Sequence, residues 1–144
     1  NYRGISVQLK SKSNKEGFEQ LIKASNEYQN SFIFINLVDF DVYFGHRNDV
    51  QGFAEALKEL DDKLPMFLEN LHQTDRVVFT ADHGNDPTTP STDHSREYVP
   101  VLYFGKDKAV SNLGIRKTFS DVGKTAADYF KIENNLRGTS FLND

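Results

Sequence analysis

The sequence has 144 residues, 38% of them hydrophobic, which is enough for one domain or a large piece of one. Its net charge of −4 and the lack of a long basic run argue against nucleic acid as a partner. Cysteine is absent, which excludes disulfides and thiolate sites and fits a cytoplasmic location. No apolar run approaches the roughly 18 residues of a membrane span, so we expect no membrane partner. The chain begins with Asn1 and its only methionine is Met66, so we interpret it as a processed or truncated product.

The first half of the chain predicts strand, helix, strand. Residues 5–9 alternate weakly between apolar and polar, as in a strand. Ser13 or Asn14 can cap a helix that continues to about Tyr28. Residues 31–38 form a nearly continuous apolar run, which is typical of a strand covered on both faces.

The second half predicts a long helix, two strands and a final helix. Apolar residues recur at helical spacing over residues 50–71, where Pro65 is expected to kink or divide the helix. Residues 76–80 and 98–104 read as strands, and a helix capped by Ser120 or Asp121 is expected to follow. This order of elements predicts an α/β fold with a helix-covered, largely parallel sheet.

Polar residues of the kind that bind metals follow two of the predicted strands. Each strand leads into Asp and His residues, and a further His lies eleven positions after the His that follows the second strand. Strand ends at one edge of an α/β sheet commonly form one site. The candidate ligands are Asp41, His46, Asp82, His83 and His94. The fourth histidine, His72, follows a charged helix and is expected to be solvated.

Oxygen and imidazole donors without sulfur favour Mn²⁺ or Zn²⁺ over Ca²⁺ and also tolerate Mg²⁺. Five such ligands exceed the need of one open catalytic centre and fall short of two complete ones. We interpret them as part of a binuclear site, because two cations about 4 Å apart suit phosphoryl transfer.

Three segments carry a specific resemblance: residues 11–14 (SKSN), 36–49 (NLVDFDVYFGHRND) and 80–97 (TADHGNDPTTPSTDHSRE). They resemble the C-terminal part of bacterial phosphopentomutases, which belong to the alkaline phosphatase superfamily, and the resemblance covers essentially all 144 residues. It implies that residues 1–144 are the C-terminal segment of a metal-binding core domain of the alkaline phosphatase-like sandwich type. The N-terminal core segment and a cap domain would lie upstream of Asn1. Phe44, Ser91 and Ser95 are conservative departures from the family pattern.

The resemblance also assigns the ligands to two ions. It implies that Asp41, His46 and His94 hold one Mn²⁺ and that Asp82 and His83 hold the other, with Mg²⁺ or Zn²⁺ as possible substitutes. The family completes the second site with an aspartate and a phosphorylated threonine that have no counterpart here. No catalytic residue is therefore assigned in this chain. The nearby threonines, which do not match the nucleophile's motif, are Thr80, Thr88, Thr89 and Thr92.

The implied activity is interconversion of ribose or deoxyribose 1-phosphate with the 5-phosphate, with a pentose phosphate as the small-molecule substrate. A related phosphomutase such as cofactor-independent phosphoglycerate mutase is the alternative enzyme. The Asp41 to His46 spacing and the sequence at residues 86–88 argue against it. A non-catalytic folded fragment is the alternative of another class. We expect the isolated chain to be inactive and to self-associate through exposed sheet surface.

Overall fold

A computed structural model describes residues 3–144, which divide into two compact units. Unit 1 contains the chain up to Leu71 together with residues 83–98, and unit 2 contains residues 72–82 and 99–144. Helix α1 spans Asn14–Glu27 and helix α2 spans Val50–Asn70, both in unit 1. Unit 2 holds strands β1 (Val77–Thr80) and β2 (Val101–Phe104) and helix α3 (Ser120–Tyr129). None of the helices among the described residues combines the length and apolar character that crossing a membrane requires.

The two helices of unit 1 follow the sequence prediction closely. The predicted cap Ser13 precedes α1, and its hydroxyl accepts a 3.2 Å hydrogen bond from the backbone N–H of Glu16. Asp49 caps α2 in the same way. The rings of Phe18 and Phe67, both buried, meet edge to face at 5.6 Å and join the helices in a small apolar core.

Pro65 does not divide α2, which continues as one helix through that position. A proline in a helix removes one backbone donor. The neighbouring Phe67 is only 3% exposed, so burial of the apolar face of α2 offsets the lost hydrogen bond.

The predicted strand at residues 31–38 is the main local difference from expectation. Residues 31–37 carry no strand assignment, and their burial alternates. Ile35 and Leu37 approach α1, where a Cβ on Gly17 would lie 3.5 and 3.6 Å from their methyl groups. Phe34 instead points outward and is 79% exposed. One face is therefore covered, whereas the sequence predicted cover on both.

The weak strand predicted at residues 5–9 is also not formed. Its apolar residues Ile5, Val7 and Leu9 are each about half exposed, at 55%, 48% and 51%. The alternation of apolar and polar residues therefore gave a wrong prediction. A strand also needs a neighbouring strand to pair with its backbone N–H and C=O groups.

Unit 2 is built on a two-stranded antiparallel pair, with Val77 opposite Phe104 and Thr80 opposite Val101. Both strands and α3 lie within a few residues of their predicted positions. The core centres on Phe141, which is fully buried and meets the Tyr103 ring at 5.3 Å.

The predicted caps of α3 were wrong. Phe119 occupies the cap position, and the hydroxyl of Thr118 accepts from the backbone N–H of Ser120. Asp121 is instead buried, and its carboxylate accepts 2.9 Å hydrogen bonds from Arg116 Nε and from the backbone N–H of Thr139. The acidic residue thus ties the C-terminal tail to α3.

The α/β character is as predicted, but the largely parallel sheet is not formed among residues 3–144. The pair β1–β2 is antiparallel, and residues 31–37, which the sequence predicts as a further strand, carry no strand assignment. A parallel sheet needs ladder partners for every inner strand. The described residues therefore form a small α/β fragment with one antiparallel pair of strands.

Candidate metal centre

Unit 1 brings two separate segments together at the candidate site. Asp41 lies in a π-helical turn, Phe40–Phe44, and His46 lies in the 3₁₀ turn Gly45–Arg47 that follows it. The sequence predicted a strand end here, so the local structure differs from expectation. Wide π turns occur frequently at functional sites, where they change the direction of side chains. This one leaves the carboxylate and the imidazole facing each other.

The side chains of three predicted ligands converge. The Nε2 atom of His46 lies 3.5 Å from Asp41 Oδ2, and the Nε2 atom of His94 lies 3.4 Å from Asp41 Oδ1. The two Nε2 atoms are 3.1 Å apart. One ligand atom from each residue lies within 4.8 Å of the others, a spacing that permits contact with a common ion.

The ring of His46 is oriented by the protein backbone. Its Nδ1 atom lies 2.6 Å from the carbonyl oxygen of Thr92. A carbonyl only accepts hydrogen bonds, so Nδ1 is the donor in this contact, and the other ring nitrogen, Nε2, faces Asp41 and His94. Histidine ligands of metals are commonly held this way. The donor set therefore fits a divalent cation.

His83 stands at the border of this group. Its ring stacks on that of His94, with centroids 3.8 Å apart, and its Nε2 atom is 4.0 Å from Asp41 Oδ1. Asp82, the remaining predicted ligand, belongs to unit 2, where it is exposed and lies two residues beyond β1. Within unit 1, four of the five predicted residues are thus near one another. The fourth histidine of the chain, His72, is exposed as expected.

A backbone bridge joins the two ends of the loop between His83 and His94. Gly84 pairs with Ser95 in an isolated antiparallel bridge, and the N–H of Ser95 donates to the Gly84 carbonyl at 3.3 Å. The backbone N–H of Asp86 donates to the Ser95 hydroxyl at 2.7 Å. Because each member of the bridge adjoins a histidine, the bridge sets the separation of His83 and His94.

The middle of this loop is an ordered turn. The hydroxyl and the backbone N–H of Thr88 both donate to the Asp86 carboxylate. Both bonds lower the pKa of Asp86, and the bond from the hydroxyl has the larger effect. The side chain of Asn48 donates to the carbonyl of Thr89 at 2.7 Å, which ties the turn to the segment that carries His46. The loop is therefore fixed at both ends and at its middle.

The site is open to water. The side chains of Asp41, His46 and His94 are 32%, 39% and 48% exposed. A cation held here would keep positions for water or for ligand oxygens, as catalytic metal sites do.

Sequence reasoning missed one side chain at the centre. Asn85 donates from Nδ2 to Asp41 Oδ1 at 2.5 Å. Its place in the polar loop, two residues after His83, was the available signal, because metal ligands are commonly oriented by further polar side chains.

An open cluster of one carboxylate and facing imidazoles is the kind of centre on which metal-dependent enzymes depend. Residues 1–134 match the Metalloenzyme superfamily, and the chain belongs to that superfamily.

Within it, the chain resembles proteins named phosphopentomutase, as the sequence predicted. It is 53% identical over 143 residues to the phosphopentomutase of Dictyoglomus turgidum, covering 99% of this chain and 36% of that protein. The phosphopentomutase of Acetivibrio thermocellus is 50% identical over 141 residues, covering 97% and 36%. That of Lachnoclostridium phytofermentans is 46% identical over 142 residues, covering 98% and 36%. The chain thus spans about 36% of the length of these relatives.

Proposed function

We propose that this chain supplies part of the metal site of a phosphopentomutase, which interconverts ribose or deoxyribose 1-phosphate with the 5-phosphate through a phosphothreonine. The observation that carries the proposal is the convergence of the Asp41 carboxylate with the Nε2 atoms of His46 and His94. The similarity to phosphopentomutases along 99% of the chain supports the choice of reaction.

Under this proposal Asp41, His46 and His94 hold one Mn²⁺, and Asp82 and His83 contribute to a second. Mg²⁺ or Zn²⁺ are possible substitutes, because all three accept oxygen and imidazole donors. The bound ions supply charge neutralisation for a phosphoryl group and lower the pKa of an attacking hydroxyl.

The chain's own residues prepare the site for that chemistry. The Thr92 carbonyl accepts a hydrogen bond from His46 Nδ1, which leaves the Nε2 atom free to bind a cation. The Asp41 carboxylate supplies negative charge between the two imidazoles. A chain of net charge −4 would repel a sugar phosphate, so the cations reverse the local sign.

The remaining parts of the reaction are proposed to come from elsewhere in a longer protein. Residues 1–144 would be the C-terminal segment of its core domain, and the other segments would complete a helix-covered, largely parallel sheet. The hydroxyls of Thr88 and Thr89 are engaged within their own turn, which supports a nucleophile outside this chain. We expect the isolated chain to be inactive. A cytoplasmic location is proposed from the absence of cysteine.

A chimera tests the function. These residues would replace the matching 36% of the Dictyoglomus turgidum protein, and conversion of ribose 1-phosphate would be assayed with Mn²⁺. We expect turnover, and we expect Asp41→Asn in the chimera to reduce it by roughly 100-fold or more, because losing a ligand exceeds the 10–100-fold cost of an outer-shell change.

The same chimera separates the alternatives. Turnover of 3-phosphoglycerate in place of ribose 1-phosphate would favour a phosphoglycerate mutase. Turnover that Asp41→Asn leaves unchanged would contradict the proposed site. His72→Ala is the matched control, because His72 is exposed and lies outside the cluster.

We also infer that the isolated chain self-associates, and that residues 31–38 form the contact with a second copy of the same chain. Residues 31–37 carry no strand assignment, and the apolar side chains of Phe34 and Val38 are 79% and 43% exposed. Apolar segments whose backbone groups lie outside a sheet are prone to pair with another chain.

Sedimentation velocity checks this inference. We expect dimers or larger species, and we expect Phe34→Lys to shift the chain toward monomer, because a charge at the centre of the contact opposes pairing. Ile115→Lys is the control, since Ile115 is equally exposed at 80% but lies in unit 2. A well-behaved monomer, or equal effects of the two substitutions, would contradict it.

A further inference from the structure

Asn85 contacts both parts of the segment that carries Asp41 and His46. Its Nδ2 group donates to Asp41 Oδ1 at 2.5 Å. An ionised carboxylate only accepts, so the amide must present its NH₂ group to Asp41. A Cβ placed on Gly45 would collide with the same amide. Asn85 therefore packs against the backbone immediately before His46.

This contact fixes the rotation of the Asp41 carboxylate. Asn85 occupies one acceptor position of Oδ1, while His94 Nε2 lies 3.4 Å from the same oxygen. The other oxygen, Oδ2, lies 3.5 Å from His46 Nε2. Without the donor, the carboxylate could rotate away from both imidazoles, because its terminal torsion is broad.

Asn85 is itself held by the backbone on either side. Gly84, before it, pairs with Ser95, and the N–H of Asp86, after it, donates to the Ser95 hydroxyl. Ser95 adjoins His94 in the chain. Asn85 thus connects the segment that carries His94 to the turn that carries Asp41.

We propose that Asn85 is a positioning residue that orients Asp41 and holds its turn against the loop of His94, so that the three donors meet at one point. The proposal rests on the proposed metal site and adds a residue to it. Oriented outer-shell partners typically change metal affinity by roughly 10- to 100-fold.

Titration calorimetry of the 144-residue chain with Mn²⁺ tests the proposal. We expect Asn85→Ala to weaken binding by roughly 10- to 100-fold. The control is Asn70→Ala, because the amide of Asn70 is exposed and donates to the Met66 carbonyl within α2, away from the three converging residues. It is expected to leave Mn²⁺ affinity unchanged. Unchanged affinity in Asn85→Ala would overturn the positioning role and leave the proposed function standing.

A second measurement needs no metal. In EDTA, Asn85→Asp places two carboxylates in contact and is expected to lower Tm by about 2 °C or more. Adding Asp41→Asn exchanges donor and acceptor and is expected to restore Tm. If the double variant does not regain the wild-type Tm, the proposed contact between Asn85 and Asp41 is contradicted. A wild-type chain that binds no Mn²⁺ would instead overturn the proposed function. The Tm of the double variant would then still test whether Asn85 orients Asp41.

Discussion

In the His94→Ala variant we expect the 144-residue chain to lose its Mn²⁺ binding. The wild-type chain is expected to bind one Mn²⁺ appreciably, through the three donors that lie within 4.8 Å of one another. Removing His94 leaves one carboxylate and one imidazole, so the loss should exceed the roughly 10- to 100-fold effect of an outer-shell change. Titration calorimetry measures both affinities directly.

His72→Ala serves as the matched control, because it removes a histidine that is exposed and lies in unit 2. We expect this variant to bind like the wild type. Two tight sites in the wild-type chain would contradict the ligand assignment. So would one site that persists without His94.

The second large effect is expected from Gly84→Ala. A Cβ at this position would lie 2.5 Å from the carbonyl oxygen of Ser95 and 2.7 Å from the backbone nitrogen of Glu97. Both are main-chain atoms and cannot move without breaking the bridge. We expect the free energy of unfolding to fall by roughly 1–3 kcal/mol, as in other overpacked sites. Thermal unfolding in EDTA measures this loss, and calorimetry is expected to show weaker Mn²⁺ binding.

The same substitution at Gly123 is the control. Gly123 lies in α3, and its added Cβ would meet only a methyl group of Leu136 at 3.5 Å, an ordinary contact. Alanine should stabilise the helix there by roughly 0.5–1 kcal/mol. Destabilisation at both positions, or at neither, would contradict the special role assigned to Gly84.

Helices were predictable because their signals are local. Ser13 begins α1 as its side chain indicates, and apolar spacing located α2. The cap of α3 was wrong because Asp121 meets Arg116 and Thr139, contacts that no local pattern reveals. Tertiary partners decided its role.

Strand predictions depended on partners that the sequence does not display. Residues 77–80 and 101–104 pair with each other and were found. Residues 31–38 have an equally apolar pattern, yet residues 31–37 carry no strand assignment, and Ile35 and Leu37 lie near Gly17 of α1. A hydrophobic run predicts where burial is favourable and does not supply the neighbouring strand.

The candidate site was predictable from residue chemistry, and its local structure was not. Asp41 and His46 were expected after a strand, but they lie in a π turn and a 3₁₀ turn. Asn85 was missed, because an amide carries no ligand signature in a sequence. The assignment of the five residues as ligands remains a prediction that the titrations address.

The orienting partner of His46 is a main-chain oxygen, that of Thr92. Every amino acid offers the same carbonyl, so this bond places no demand on the side chain at position 92. Evolution is free to exchange that threonine without disturbing the ring. A search for invariant side chains around His46 would therefore overlook this hydrogen bond. Substitutions that change the path of the loop backbone, such as a proline next to Thr92, would reveal it.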